Sequence, residues 1–518
     1  MRQQIHTTLY FLFLCLGVIG MTTSNYLMNM AWVFMAANWV AEWDMRRKFS
    51  DFKTNYLLQA WLLLFLIHLV GMLWTSNWAY GLDDLRKKLP LLLVPLVVLT
   101  SRPLKDKQYR CVLFCYIGAM LVASVVGWFR YFTMPDLPYR DIIPFISHIR
   151  YSLNLCLGIT LLGWQVIRAR SFQVRLWASA LSIYFFLYLI LLQSYTGCII
   201  LFVLALAMLC HYWNKIGNRK LRTAMLTLWC LVFIAVVASV GINIHSYYRL
   251  VPPSTEPLEA TTANGNAYVH LQDGMIENGN YVNNYLCEEE LWREWNKRDP
   301  HDIYDTCATG YPIRGALVRY LNAKGLTKDS LGVAQLNDDE VLSIAKGIAN
   351  PVYEKRLSLQ RMVYVMCFEY ENYRCYHSVR NFTMLQRFEL WKNGWKVFLR
   401  SPLVGVGTGD VVDKCHLELV KSRSELAGTS KHTHNQYLTL LITFGLLGFV
   451  LITWAFVRAF RRQRLLHITP FLVITLITLI SFLTEDTLET LAGAMFVVVF
   501  SSLFVSNRIQ EKKDNTKL

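Results

Sequence analysis

Apolar runs close to twenty residues long recur along most of this chain, separated by short polar connections. A helix must cover about 30 Å to cross the hydrocarbon of a bilayer, and a run of that length does so. Twelve runs are read, at 7–21, 23–41, 56–74, 89–100, 110–129, 149–167, 174–192, 194–213, 222–244, 436–457, 467–483 and 488–506. The pattern predicts an all-α polytopic membrane protein with about twelve transmembrane helices. The first run, with Arg2 ahead of its apolar core, has the form of a signal peptide. The many spans behind it argue for a retained first helix instead.

The periodicity changes between 245 and 434. A connection of ~190 residues is far longer than a loop and is expected to fold as a unit of its own. Three zones follow: a membrane domain over 1–244 with about nine spans, an insertion over 245–434, and a closing membrane domain over 435–518 with three spans and a tail. The insertion opens in a stretch rich in Asn and Gly, "TTANGNAYVHLQDGMIENGNYVNNY", which predicts loops and turns. It then becomes helical: in "NDDEVLSIAKGIAN", Asn337 and Glu340 have the spacing of a capping box ahead of a periodic apolar pattern.

Composition agrees with the patterning, at 54% hydrophobic residues and a mean hydropathy of +0.30. The formal charge of +16 invites a nucleic-acid partner until its distribution is examined. Basic residues collect in alternate connections: Arg46, Arg47, Lys48 and Lys53; Arg102, Lys105 and Lys107; Arg168, Arg170 and Arg175; Lys215, Arg219 and Lys220; and Arg458, Arg461, Arg462 and Arg464. The tail adds Arg508, Lys512 and Lys513. This is the positive-inside pattern. It predicts both termini in the cytoplasm and the insertion outside, and it leaves no charge that needs nucleic acid to explain it. Of twelve cysteines, five fall in the insertion, at Cys287, Cys307, Cys367, Cys375 and Cys415. An odd number outside the cytoplasm permits disulfides without dictating their pairing.

The end of the insertion carries the candidate chemistry. In "RFELWKNGWKVFLRSPLVGVGTGD", Phe388, Trp391, Trp395 and Phe398 share one helical face, and Lys392, Lys396 and Arg400 another. This predicts an interfacial helix over 385–400, aromatics toward lipid and cations toward headgroups. Arg387 breaks the pattern by falling on the aromatic face, where a guanidinium needs an anion or a carboxylate. The alternating glycines Gly405, Gly407 and Gly409 lack the strand-then-helix setting of a dinucleotide loop and predict a tight turn instead. Then "KHTHNQYLTLLITFGLLGF" places His432 and His434 directly before a span.

Taken in order, Arg387 and Trp391, Pro402, Gly405 and Gly407, His434, Asn435, Tyr437 and Leu438, and Gly445 and Gly448 resemble the O-antigen ligase and polymerase superfamily of bacterial membrane glycosyltransferases, in its long-loop form. The resemblance implies a GT-C-like helical fold in the inner membrane, with the large loop in the periplasm. It further implies transfer of glycan from an undecaprenyl-diphosphate carrier to lipid A–core or another glycan, inverting and without metal or cofactor. Membrane lipids surround the reaction, and no nucleic acid takes part. By this resemblance, Arg387 holds the diphosphate and His434 serves the acceptor hydroxyl. The chemistry suits them, because guanidinium binds phosphate oxygens bidentately and imidazole titrates near neutrality. One departure stands out: family members carry Ser-Arg-x-Gly where this chain has Ser194-Tyr195-Thr196-Gly197. A second cation is therefore sought in Arg150, at the outer end of the sixth span, with Lys87 and Lys88 as further diphosphate contacts. Trp391, Asn435, Tyr437, Tyr195 and His432 are supporting positions. Glu485 and Glu489, one turn apart if the last helix begins early, are possible partners for His434 or Arg387. Ligation to lipid A–core leads. Polymerisation of repeats, transfer to protein hydroxyls and, from another class, secondary transport are the alternatives.

Overall fold

The computed structural model describes residues 2–134, 137–250, 258–272, 274–307, 310–355, 358–380, 382–429 and 432–515, with side chains omitted beyond residue 507. Ten helices come first: Arg2–Thr23 (α1), Asn25–Glu42 (α2), Met45–Thr54 (α3), Tyr56–Gly71 (α4), Trp78–Thr100 (α5), Asp106–Thr133 (α6), His148–Arg168 (α7), Phe172–Leu191 (α8), Tyr195–Tyr212 (α9) and Arg219–Tyr248 (α10). The insertion adds Glu288–Trp295 (α11), Ile313–Ala323 (α12), Ser330–Ala334 (α13), Asp338–Ala345 (α14) and Leu359–Tyr376 (α15). Thr383–Arg400 (α16), Val411–Lys421 (α17), Gln436–Arg462 (α18), Thr469–Ser481 (α19) and Leu491–Asn515 (α20) complete the chain. Each of the twelve predicted runs centres on one of these helices.

By length and composition, seven helices among the described residues are able to cross a membrane: α1, Tyr56–Trp74, α6, α8, Tyr195–Lys215, α10 and α18. Two shorter apolar helices, Thr469–Ser481 and Leu491–Asn507, accompany them. The other predicted spans are more polar, and α7 shows how that is tolerated. Every residue from Arg150 to Gly158 is buried, so its Ser152 and Asn154 meet protein rather than lipid. Asn154 accepts from Tyr116 Oη at 2.8 Å and donates to the Arg150 carbonyl at 2.8 Å. A helix inside a bundle needs no continuous apolar surface.

Two compact units are present. One contains Met1–Lys215 and Glu389–Leu518, and the other Ile216–Phe388. The division differs from one drawn at 244 and 434 because packing and topology are different criteria. At one end, α10 packs on α15 through Val240, Tyr247, Tyr248, Val363, Tyr364 and Cys367. At the other, most of α16 packs with α17 and α18 through Leu438, Ile442, Val397, Val411 and Cys415.

In the second unit a small core surrounds Trp295, Leu317, Leu321 and Ile344, with one two-stranded ribbon at Ile276–Glu277 and Asn280–Tyr281. The capping box at Asn337 and Glu340 forms in both directions, at 3.0 and 2.9 Å. Buried Arg319 pairs with Glu277 at 2.7 Å and lies over the ring of Phe368. The cysteines of the insertion form no disulfide among the described residues.

In the first unit, the feature that shapes the region ahead of the histidine segment is a break in α18. Gly445 has φ 62° and ψ −169°, a conformation open essentially to glycine alone. The break leaves backbone groups without helical partners, and the Pro402–Gly407 turn supplies them. Val406 N donates to the Ile442 carbonyl at 2.9 Å and Gly407 N to the Thr443 carbonyl at 3.0 Å. In return, Leu446 and Leu447 N donate to the carbonyls of Pro402 and Leu403 at 2.7 and 3.1 Å. Irregular backbone at membrane depth is tolerated only when protein satisfies it in this way. Gly405 and Gly407 take φ of 72° and 94°, and a Cβ on Gly405 would lie 2.4 Å from the Thr443 carbonyl. The glycines thus form the close-approach turn expected of them.

Candidate active site

The segment before α18 is built around one buried acid, Asp486. His434 has φ 52°, a left-handed conformation for a side chain larger than glycine. Its N–H donates to Asp486 Oδ2 at 2.6 Å, and Thr439 Oγ1 bonds Asp486 Oδ1 at 2.7 Å. Asn435 then caps α18 by accepting from Leu438 N at 3.1 Å. Thr433, whose Oγ1 lies 2.8 Å from that of Thr439, closes the turn. His434 is therefore presented at the mouth of the helix by a backbone held from three sides.

Arg150 meets the same carboxylate residue from α7. Its Nη2 donates to the Asp486 carbonyl at 3.3 Å and its Nε to Thr490 Oγ1 at 3.1 Å. The carboxylates of Glu485 and Asp486 act on its charge. Its Nη1 is buried with no hydrogen-bond acceptor among the described residues. A buried guanidinium N–H without an acceptor is costly, so this edge of Arg150 suits a ligand oxygen.

A second cluster lies on the neighbouring turn. Lys88 Nζ donates to both oxygens of Asp84, at 2.9 and 2.7 Å, and to Glu489 Oε2 at 2.6 Å. Glu489 Oε1 accepts from Gln436 Nε2 at 2.9 Å, and Gln436 Oε1 accepts from Leu488 N at 2.8 Å. Lys88, with all three protons engaged, is a structural bridge and not a spare cation. Lys87 turns the other way. It pairs with Asp83 at 2.7 Å and lines an apolar groove of ≈ 390 Å³ with Trp32, Leu93 and Met495.

The remaining predicted residues divide. Tyr437 Oη donates to the Leu479 carbonyl at 2.9 Å and its ring packs edge-on against Phe482, so it locks α18 to α19. His432 Nε2 lies 3.0 Å from Tyr80 Oη, at the start of α5. Glu485 is buried but does not share a helical turn with Glu489. A short 3-10 turn, Thr487–Glu489, intervenes and α20 begins only at Leu491. The two acids go separate ways, one toward Arg150 and the other to Lys88. Tyr195 stands half-exposed in the first turn of α9, which Ser194 caps through Gly197 N.

Arg387 is partly buried on α16 and belongs to the unit ending at Phe388, whereas His434 belongs to the other. The α16 aromatics do not act as one face. Trp391 and Phe398 pack into the cluster with Val411 and Leu438, while Phe388 and Trp395 remain exposed. The helix starts at Thr383, two residues before the expected boundary.

Residues 340–453 match the O-antigen ligase family. The match covers that stretch alone, and over it the chain is similar to the O-antigen ligase superfamily. It begins within α14 and runs through α15, α16, the glycine turn, α17, the histidine segment and the broken half of α18. The activity general to the superfamily is glycan transfer of the ligase and polymerase type, on lipid-linked glycan and an acceptor at a membrane. No curated protein matches the chain.

Asp486, Gln436 and Asp84 were not legible as site residues. In "FLTEDTLETLAG", Asp486 is one of three acids between two apolar runs, and the sequence does not rank it above Glu485 or Glu489. Its signal was an acid between two strongly apolar runs, which requires partners wherever it is buried.

Proposed function

We propose that the protein ligates O-antigen from undecaprenyl diphosphate to lipid A–core at the periplasmic face of the inner membrane. The observation that carries this reading is the convergence of His434 and Arg150 on Asp486 at the outer end of α18. In this reading the acceptor hydroxyl loses its proton to His434 as its oxygen attacks the anomeric carbon. The bond from that carbon to the phosphate oxygen breaks, and the diphosphate leaves from the opposite face with inversion. Arg387, with Arg150 as second cation, holds the charge that develops on the leaving group, the task for which a fixed guanidinium is suited. Asp486 is a positioning residue, fixing the backbone of His434 without touching substrate. Lys88 and Glu489 stabilise the turn that carries Asp486.

A strain lacking the gene, complemented with wild type, Arg387→Ala or His434→Ala, tests the assignment. Each variant is expected to lose at least about 100-fold in capped lipid A–core while reaching normal membrane levels. Wild-type capping by both variants would remove these residues from the site. Single-repeat caps in the deletion strain would assign the protein to repeat polymerisation. Unchanged polysaccharide with underglycosylated protein would assign it to protein glycosylation.

A further inference from the structure

Away from this site, the Sγ atoms of Cys15, Cys111 and Cys115 all lie within 4.8 Å of one another. Cys15 is on α1, while Cys111 and Cys115 are four residues apart and face α1 together from one side of α6. A cysteine in an apolar helix is ordinarily a small packing residue. Three thiols converging from two helices offer more than packing requires. With metal–sulfur bonds of about 2.3 Å, three thiolates around one ion stand about 4 Å apart, so these sulfurs need to close by less than about 1 Å. Cys15 is buried and Cys111 is exposed. Lys107 and Arg110 line the same shallow cleft as Cys111 and Cys115.

We propose that Cys15, Cys111 and Cys115 form a trithiolate site for a thiophilic d10 cation, pinning α1 to α6. Sulfur ligands select this class over Mg²⁺ or Ca²⁺, which take oxygen. On binding, three S–H protons pass to solvent and three metal–sulfur bonds form, with no change of oxidation state. A divalent ion leaves the cluster with one net negative charge and a monovalent ion leaves it with two. Lys107 and Arg110 offset either. The exposed side at Cys111 keeps the ion exchangeable, with room for a water as fourth ligand on a divalent centre. In the proposed orientation the cleft opens toward the cytoplasm, where thiols stay reduced.

The test uses the full chain in detergent, under a non-thiol reductant and without oxygen. Cd²⁺ stands in for Zn²⁺ in one arm, and chelator-buffered Cu⁺ is supplied in the other. The expected result is a sulfur-to-metal charge-transfer absorption that saturates at one equivalent in at least one arm. Cys111→Ser, at an exposed position that leaves packing intact, should abolish it, as should Cys115→Ser. Cys210→Ser, an exposed cysteine elsewhere, should retain it. Saturation in the Cd²⁺ arm alone assigns a divalent ion, and in the Cu⁺ arm alone a monovalent one. An absence of one-equivalent saturation in both arms overturns the proposal, as does equal binding by a Cys111→Ser/Cys115→Ser double variant. The readout is the absorption of bound metal, so it stands apart from whether the protein ligates glycan.

Discussion

At the scale of single residues, Asp486 organises the end of α18 that begins at Gln436. Burial pushes its carboxyl above the ordinary range and Glu489 adds to that push, while His432, Thr439 and His434 pull it back only in part. The folded protein therefore holds this proton to higher pH than the unfolded chain, in which the group titrates near 3.8. Stability owed to the bound proton is complete below that value and is lost as pH rises through the folded one. Asp486→Asn, neutral throughout, escapes this loss. From about pH 4 upward, thermal unfolding in detergent should show the variant gaining on wild type as pH rises. Parallel curves would mean that Asp486 carries no shifted proton. The same residue shows where sequence reading stops. Arg150 is legible in the sequence, because an ionisable group at a helix end in an apolar chain is conspicuous. Nothing in the sequence singles out Asp486 from Glu485 and Glu489 beside it, because an acid in a short turn looks hydrated until its neighbours are known. Lys88 looked like a cation for phosphate because Asp84 lies on its own helix but Glu489 is four hundred residues away.

At the scale of elements, the interlock of the glycine turn with α18 decides the geometry. Gly445→Ala would place its Cβ 2.3 Å from the Leu403 carbonyl, at a backbone angle that alanine resists. The backbone strain alone costs about 1–3 kcal/mol. The steric overlap adds to it, so Gly445→Ala should unfold well below wild type in detergent-solubilised form. Gly163→Ala, in mid-helix with nothing within 4 Å of its new Cβ, should match or exceed wild type. Equal unfolding temperatures for the two variants would show that the break in α18 is not under constraint. The helices themselves were legible because each rests on a local period of apolar residues. The break was not, since "FGLLG" reads as an uninterrupted apolar run. Only the facing turn, forty residues earlier, shows why Gly445 and not Gly448 leaves the helix.

At the scale of the whole molecule, the alternation of basic connections predicts one orientation for every span, and that orientation is open to a direct check. In intact cells with the outer membrane made permeable, Asp338→Cys should react with a membrane-impermeant maleimide. Ser171→Cys, in the connection after α7, should react only once the inner membrane is opened. The reverse pattern would overturn the proposed orientation and with it the proposed periplasmic position of His434. The division into units shows the limit of a topological reading. Hydropathy marks where a chain can cross lipid, but compactness follows from which faces pack. That is how α10 comes to be grouped with the insertion through Tyr247, Tyr248 and Tyr364.

The woven break in α18 also bears on how the protein is made. The carbonyls of Ile442 and Thr443 and the amides of Leu446 and Leu447 find their partners in a turn synthesised some forty residues earlier. A nascent α18 entering the bilayer before that turn had docked would carry bare polar groups into hydrocarbon. Translation order prevents this, because the turn leaves the ribosome first and is waiting when the helix arrives. A circular permutant that delivers α18 ahead of the turn would keep every native contact available and still lose the order in which they form.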